Sequence, residues 1–297
     1  MNQEYSPLLG KCSEIDEIES LESSIIIRNY INELGIDVSP YFNKKPKYKI
    51  KLCKKSGFRF YDPLSLAGDS SFYEKLQKLQ NNYYTAIRPE FIIAKKYIKK
   101  NAKVLDVGCG KGYFLDYIKD ITKNLSGIEY YEEAIKVNIK KGYNCYNIPI
   151  ERFGLEHVNK FDVVTAFHVL EHIPNPNSFL NAAIHLLNEN GILIIATPNS
   201  IQYTYDKYHP LNNPPHHINL WNKNSLKKLD LFFNLESIKV VDLKSIPVDY
   251  RKIKAFLNIN LSDLMLLRIF LKIIFSPFLE GDVLIGIYKK KKNILPE

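Results

Sequence analysis

Val104-Leu105-Asp106-Val107-Gly108-Cys109-Gly110-Lys111-Gly112-Tyr113-Phe114 decides how this 297-residue chain is read. A short apolar run passes straight into three alternate glycines and then into an aromatic pair. That order predicts a buried strand, a tight turn and a helix. Glycine in the turn permits positive φ and lets a ligand approach the backbone without a Cβ in the way. A dinucleotide turn spaces its glycines G-x-G-x-x-G to seat a pyrophosphate. Here the spacing is G-x-G-x-G, and Asp106 stands two residues before the first glycine. A carboxylate in that place repels a pyrophosphate and suits an ammonium group. Further on, Glu129 closes the next predicted strand, where a carboxylate can take two ribose hydroxyls in bidentate hydrogen bonds.

Outward from this turn, residues 102–290 alternate short apolar runs with amphipathic stretches, the pattern of a mainly parallel sheet covered on both faces. Strands are predicted at Lys103–Val107, Leu125–Glu129, Tyr143–Tyr146, Phe161–Phe167, Gly191–Ala196, Glu236–Leu243 and Val283–Tyr288. Helices are predicted near Tyr113–Ile121, Glu132–Ile139, Asn177–Leu187 and Ser225–Leu231. Residues 1–85 read as a separate small α+β domain and 86–297 as the main one. The small domain opens on an acidic run, Glu14 to Glu22, leading into a helix over Ser24–Leu34 that Gly35 ends. Tyr48, Ile50 and Leu52 alternate with lysines, and Phe58 and Phe60 flank Arg59, a hairpin pattern. Helices over Ser70–Asn81 and Pro89–Lys100 lead into the main domain.

Composition narrows the classes. Hydrophobic residues make up 45% and aromatic residues 12%, which places the chain among globular proteins and excludes disorder. The formal charge of +9 comes from lysines spread along the whole chain, so no nucleic acid partner is expected. Four cysteines, Cys12, Cys53, Cys109 and Cys145, are too scattered for a disulfide framework and fit a cytoplasmic protein. No secretory signal or transmembrane helix is expected.

On the blocks Asp106 to Gly112, Phe161 to Val164 with Phe167 to Pro174, Leu186 to Gly191, and Thr197-Pro198-Asn199, residues 84–290 resemble the class I S-adenosylmethionine-dependent methyltransferases. The branch is the one that includes ubiquinone O-methyltransferases and many sugar and natural-product methyltransferases. The resemblance implies a doubly wound, Rossmann-like α/β fold, a seven-stranded sheet with an antiparallel last strand. It implies S-adenosylmethionine as cofactor and S-adenosylhomocysteine as product. It puts Asp106, Gly108, Cys109 and Gly110 along the methionine part of the cofactor, Glu129 on the ribose, and Tyr130 and Ile148 about the adenine. Phe167 and His168 would face the sulfonium and the acceptor, and Tyr84 and Arg88 would hold the cofactor carboxylate, a task suited to an arginine fork. The implied acceptor is a small molecule, a sugar or sugar-derived hydroxyl for a surface polysaccharide. A quinone or lipid acceptor at a membrane, and a non-catalytic cofactor-binding subunit, are the alternatives.

An aliphatic hydroxyl must lose its proton before it is methylated, and an imidazole near the reacting centre is suited to take it. Five of the seven histidines fall in two stretches: His168 and His172 after the fourth main strand, and His209, His216 and His217 in the loop 199–223. That loop reads as an ordered lid. His217 is the first candidate base, His172 the second, and His168 stands beside them. No metal is expected, because adjacent side chains at His216 and His217 should diverge and no Cys/His quartet is present. Cys53-Lys54-Lys55-Ser56-Gly57 resembles a zinc knuckle of many relatives, with Ser56 where the second cysteine would stand. The insertion 244–282 carries an apolar helical pattern within 261–279, open to three readings: internal packing, a homodimer contact, or peripheral membrane contact.

Overall fold

The computed structural model describes residues 4–12, 14–79, 88–200, 207–243 and 282–292. Tyr84, residues 201–206 of the lid loop and nearly all of the insertion, including 261–279, lie outside them. The strands in chain order are β1 (Glu4–Ser6), β2 (Gly10–Cys12), β3 (Ile15–Glu22), β4 (Lys47–Cys53), β5 (Phe58–Asp62), β6 (Val104–Val107), β7 (Leu125–Ile128), β8 (Asn144–Tyr146), β9 (Phe161–Phe167), β10 (Leu187–Pro198), β11 (Asn219–Leu220), β12 (Leu235–Leu243) and β13 (Val283–Lys290).

The main sheet has the order β12-β13-β10-β9-β6-β7-β8. Strands β6 to β10 run parallel, and β13 is antiparallel to both β10 and β12. This is the expected seven-stranded α/β sheet with its antiparallel last strand. Strands β6 and β7 are buried along their whole length, as near-continuous apolar runs in a two-faced sheet require. The helix Ile150–Glu156 between β8 and β9 was not predicted; it buries Ile150 and Phe153 and exposes Leu155.

The acidic N-terminal run forms a strand, β3, where the sequence pattern suggests only a lead into the helix Ser23–Leu34. It lies at the edge of a second sheet, β11-β5-β4-β3, where its acids face the lysines of β4 and the turn after it: Glu17–Lys49 at 2.6 Å, Asp16–Lys54 at 2.9 Å and Glu22–Lys47 at 3.1 Å. Each exposed pair contributes little alone. Together they favour this register and give the edge a charged surface that discourages pairing with another chain. In the hairpin turn Ser56 is fully buried and its Oγ accepts from the Phe58 N–H at 3.3 Å, so the residue serves the turn itself.

The small sheet is completed by the main domain. Strand β11 pairs Asn219 with Phe60 and Leu220 with Arg59. Phe58, Phe60 and Trp221 then share one core with Leu226, Leu229, Phe233 and Tyr288. The loop that leads into β11, the one expected to be a lid, is anchored over its described residues by Asn213, which is fully buried. Its Oδ1 accepts from Tyr48 at 3.0 Å and Tyr61 at 3.2 Å, its Nδ2 donates to the carbonyls of Lys207 at 2.7 Å and His209 at 3.0 Å, and its own carbonyl accepts from Tyr30 at 3.1 Å. Replacing this carboxamide leaves two carbonyls without its donor and two tyrosine hydroxyls without this acceptor. Asn213→Ala is therefore expected to cost about 2 to 4 kcal/mol in chemical denaturation. A loss below about 0.5 kcal/mol would show that the lid is held elsewhere.

Candidate active site

A cavity of about 1110 Å³ opens at the C-terminal ends of β6, β7 and β9, where ligands lodge in open parallel sheets. Asp106 is 3% exposed and accepts from Thr165 Oγ1 at 2.7 Å, the two residues being partners across β6 and β9. Burial raises its pKa to about 7, with the nearby Glu129 charge adding to the effect and the Thr165 bond partly offsetting it. The glycine turn follows with Gly108, Gly110 and Gly112 all at positive φ. At Gly108 a Cβ would come within 2.5 Å of Val169 Cγ2, and at Gly112 it would meet Asn138 Oδ1. Asn138 braces the turn from beneath, donating to the Gly110 carbonyl at 2.7 Å.

Glu129 reaches the turn from the next strand end. Its Oε2 accepts from the Gly110 N–H at 2.8 Å, and its Oε1 from those of Tyr130 at 2.7 Å and Tyr131 at 2.9 Å. A carboxylate offers about four acceptor positions. Three are filled by backbone, so the expected bidentate grip on two hydroxyls becomes a place for one further donor. Tyr130 lies on the cavity wall, 57% exposed. Cys109 also lines the cavity, but its thiol packs 3.8 Å from that of Cys145. Ile148 packs against the core, and the wall beside it is formed by Asn147, Ile150 and Glu151.

At the other end, Phe167 stacks edgewise on Phe91 and Phe114 and lines the cavity. His168, at φ 56°, lies between two buried carboxylates: its Nε2–H donates to Glu90 at 2.9 Å, and its Nδ1 is 3.6 Å from Glu171. Burial opposes its charge, but the bonds and charges of Glu171 and Glu90 outweigh burial and raise its pKa to about 9. A protonated imidazole has no lone pair for a proton, which corrects the expectation that His168 stands among the candidate bases. Arg88 joins this network, 3.9 Å from Glu90.

His172 and His217 line the same cavity, as does His216. His216 and His217 do not diverge as adjacent residues in extended chain would; their rings stack at 4.6 Å and 24°. Burial and neighbouring imidazoles lower the pKa of both, leaving them neutral. Glu90, Thr165, Asn138 and Asn213 carry no motif of their own in the sequence; each acts through a partner brought close only by the fold.

A family model described as "Methyltransferase domain" matches residues 77–240, more than half of the chain. A ubiquinone biosynthesis O-methyltransferase from Glaesserella parasuis is 34% identical over 113 residues, covering 35% of this chain and 48% of the relative. One from Psychrobacter cryohalolentis is 32% identical over 111 residues, covering 35% and 43%. The matched segment is thus less than half the length of either relative. The crystal structure of a SAM dependent methyltransferase from Archaeoglobus fulgidus superposes with a TM-score of 0.51 at 17% identity, over 75% of this chain and all of that one. At that identity the likeness concerns the fold.

The His168 network has a pH signature. A folded-state pKa of about 9, above the ordinary value of about 6.5, contributes stability that is full below pH 6.5 and lost as pH rises through 9. The melting temperature is therefore expected to fall between pH 7 and pH 9.5, and to fall less in Glu90→Gln. Equal slopes in the two proteins would show that the pair does not hold the charge.

Proposed function

This chain belongs to the methyltransferase domain family, and from that premise we propose that it binds S-adenosylmethionine and methylates a small-molecule hydroxyl. The observation that carries the reading is a single cavity joining Asp106, Glu129 and the glycine turn to the imidazoles of His172 and His217. The donor and acceptor set fits the cofactor. Asp106 suits an ammonium group, Arg88 a carboxylate, the remaining position on Glu129 a ribose hydroxyl, and the bare Gly108 a close approach of ligand to backbone. When bound, S-adenosylmethionine supplies a methyl group on a cationic sulfur, so transfer to oxygen consumes charge.

The protein's work is then alignment and exclusion of water. Asp106 and Glu129 orient one end of the site, and Phe167, packed on Phe91 and Phe114, keeps its middle dry. His168, held charged by Glu90 and Glu171, fixes the backbone between β9 and His172. His217 or His172 receives the hydroxyl proton. The far wall carries Asp69, Ser70, Glu74 and Gln77 from the segment of the helix Ser70–Leu79. These four polar side chains, with Tyr73 among them, support a sugar-derived acceptor, as surface polysaccharide synthesis would use. A quinol acceptor is the second reading, favoured by the names of the curated relatives.

Because Asp106 carries a pKa of about 7 and the ligand's ammonium requires its ionised form, cofactor binding should release a proton near neutrality. Affinity for S-adenosylhomocysteine by calorimetry is expected to drop about tenfold from pH 8 to pH 6, and Asp106→Asn should bind weakly with no such slope. A flat profile in the unsubstituted protein would remove Asp106 from the ammonium.

Incubation with methyl-labelled cofactor against nucleotide sugars and against catechols or quinols separates the two acceptor readings. With whichever accepts label, His217→Ala is expected to keep product affinity while turnover falls roughly 100-fold. Unchanged turnover would move the role to His172, and label on neither class would refute a hydroxyl acceptor of these kinds.

A further inference from the structure

His172, His216 and His217 each present one ring nitrogen, and the three atoms lie within 4.8 Å of one another. Two of the rings are fixed by the protein backbone. His172 Nδ1 is 2.7 Å from the His216 carbonyl oxygen and His216 Nδ1 is 3.0 Å from that of Leu211. A carbonyl only accepts, so each Nδ1 carries the proton and each Nε2 the lone pair, the orientation in which outer hydrogen bonds hold metal-ligating histidines. The backbone beneath them is tied down as well. The Glu171 carbonyl accepts from the N–H groups of Ile218 at 2.8 Å and Asn219 at 3.1 Å, and the Asn213 carbonyl from those of His216 at 3.1 Å and His217 at 3.2 Å.

A second observation points to a cation at the same place. Glu171 is 2% exposed, and its Oε2 has no hydrogen-bond partner among the described residues. Its Oε1 lies 3.8 Å from His172 Nε2. The charged His168 faces the other oxygen, Oε1, at 3.6 Å and leaves Oε2 without a donor, which is costly when buried; a further cation beside the carboxylate would remove that cost. Simple aromatic packing would explain neither the aligned imidazole tautomers nor the bare carboxylate oxygen.

We propose that His172, His216 and His217 form a binding site for one divalent transition-metal ion of the zinc or cobalt kind, with Glu171 as the adjacent carboxylate. Three imidazoles select such ions over magnesium and calcium, which favour oxygen ligands. Metal–nitrogen bonds of about 2.0–2.1 Å set ligand nitrogens roughly 3.4 Å apart, so binding draws the rings together by about an ångström. An imidazole nitrogen bound to the ion cannot also take a proton, so in the metal-bound protein the ion replaces His217 and His172 in that role: three protein ligands leave a position open toward the cavity, where the ion would take an oxygen of the acceptor and ease loss of its proton to solvent. That last role rests on the methyl-transfer reading; metal binding itself does not.

The test uses the full chain, stripped with chelator and titrated with Co²⁺ alone. One equivalent is expected to bind, with visible d–d absorption and without the near-ultraviolet charge-transfer band that a cysteine thiolate would add. His172→Ala and His217→Ala should each weaken binding roughly 100-fold or more while S-adenosylhomocysteine still binds, which shows that the variants fold. If either variant fails to fold, His217→Gln, which keeps a polar side chain of similar reach, provides the measurement. Absence of stoichiometric cobalt in a protein that binds S-adenosylhomocysteine would overturn the site and leave the methyl-transfer reading standing. Cobalt binding that survives the histidine substitutions, or that shows the thiolate band, would also overturn it. Histidine-dependent cobalt binding without methyl transfer to any hydroxyl would support the site and count against the transfer reading.

Discussion

The carboxamide and backbone of Asn213 hold together parts of the chain that would otherwise be independent. Tyr30, Tyr48 and Tyr61 come from the N-terminal helix and hairpin, and all three converge on it. The lid carbonyls of Lys207 and His209 and the amides of His216 and His217 complete the set. Burying so many polar groups is tolerable only because each finds a partner, which makes the arrangement all-or-none. The positions of the His216 and His217 imidazoles at the cavity follow from it. They are set less by the sheet that carries the glycine turn than by how the lid is bound to the small domain.

Charge in the cavity is arranged by burial. Asp106, Glu129 and Glu171 line one space and Glu90 stands behind His168 on its wall, and a cluster of four acids in low dielectric would repel strongly. The chain relieves this differently at each site. Asp106 is raised toward neutrality, Glu129 is covered by three amides, Glu90 shares His168 and Arg88, and Glu171 leans on His168 and keeps one oxygen bare. The overall charge of +9 plays no part in this balance, since the surface lysines are far better solvated than the groups inside.

Much of the main domain was legible because its strands are nearly unbroken apolar runs, and Phe161–Phe167 is found at the predicted bounds. That Asp106 and Glu129 border the cavity was legible for a related reason: each stands where a buried apolar run gives way to the turn that follows, and the cavity opens at those strand ends. The strand Ile15–Glu22 was not, because its register comes from acids facing lysines on an edge, which leaves no apolar alternation to read. Nor could the sequence show that His168 is paired with Glu90, 78 residues away, or that Asn213 meets Tyr30 across 183. These residues are ordinary in type, and only the tertiary fold makes them partners. The adjacent histidines 216 and 217 misled for the same cause, since local backbone in the lid turns their rings to the same side.

The pairing of β5 with β11 bears on how the chain comes to be folded. Phe60 and Asn219 are far apart in the sequence, so the small sheet lacks its last strand until the ribosome has released the chain past Leu220. Contacts so distant in sequence slow folding and expose unpaired edges meanwhile. The hairpin of Lys47–Cys53 and Phe58–Asp62 would therefore wait, with Phe58 and Phe60 uncovered, while the central sheet assembles behind it. During synthesis this hairpin emerges well before the strand that completes its sheet.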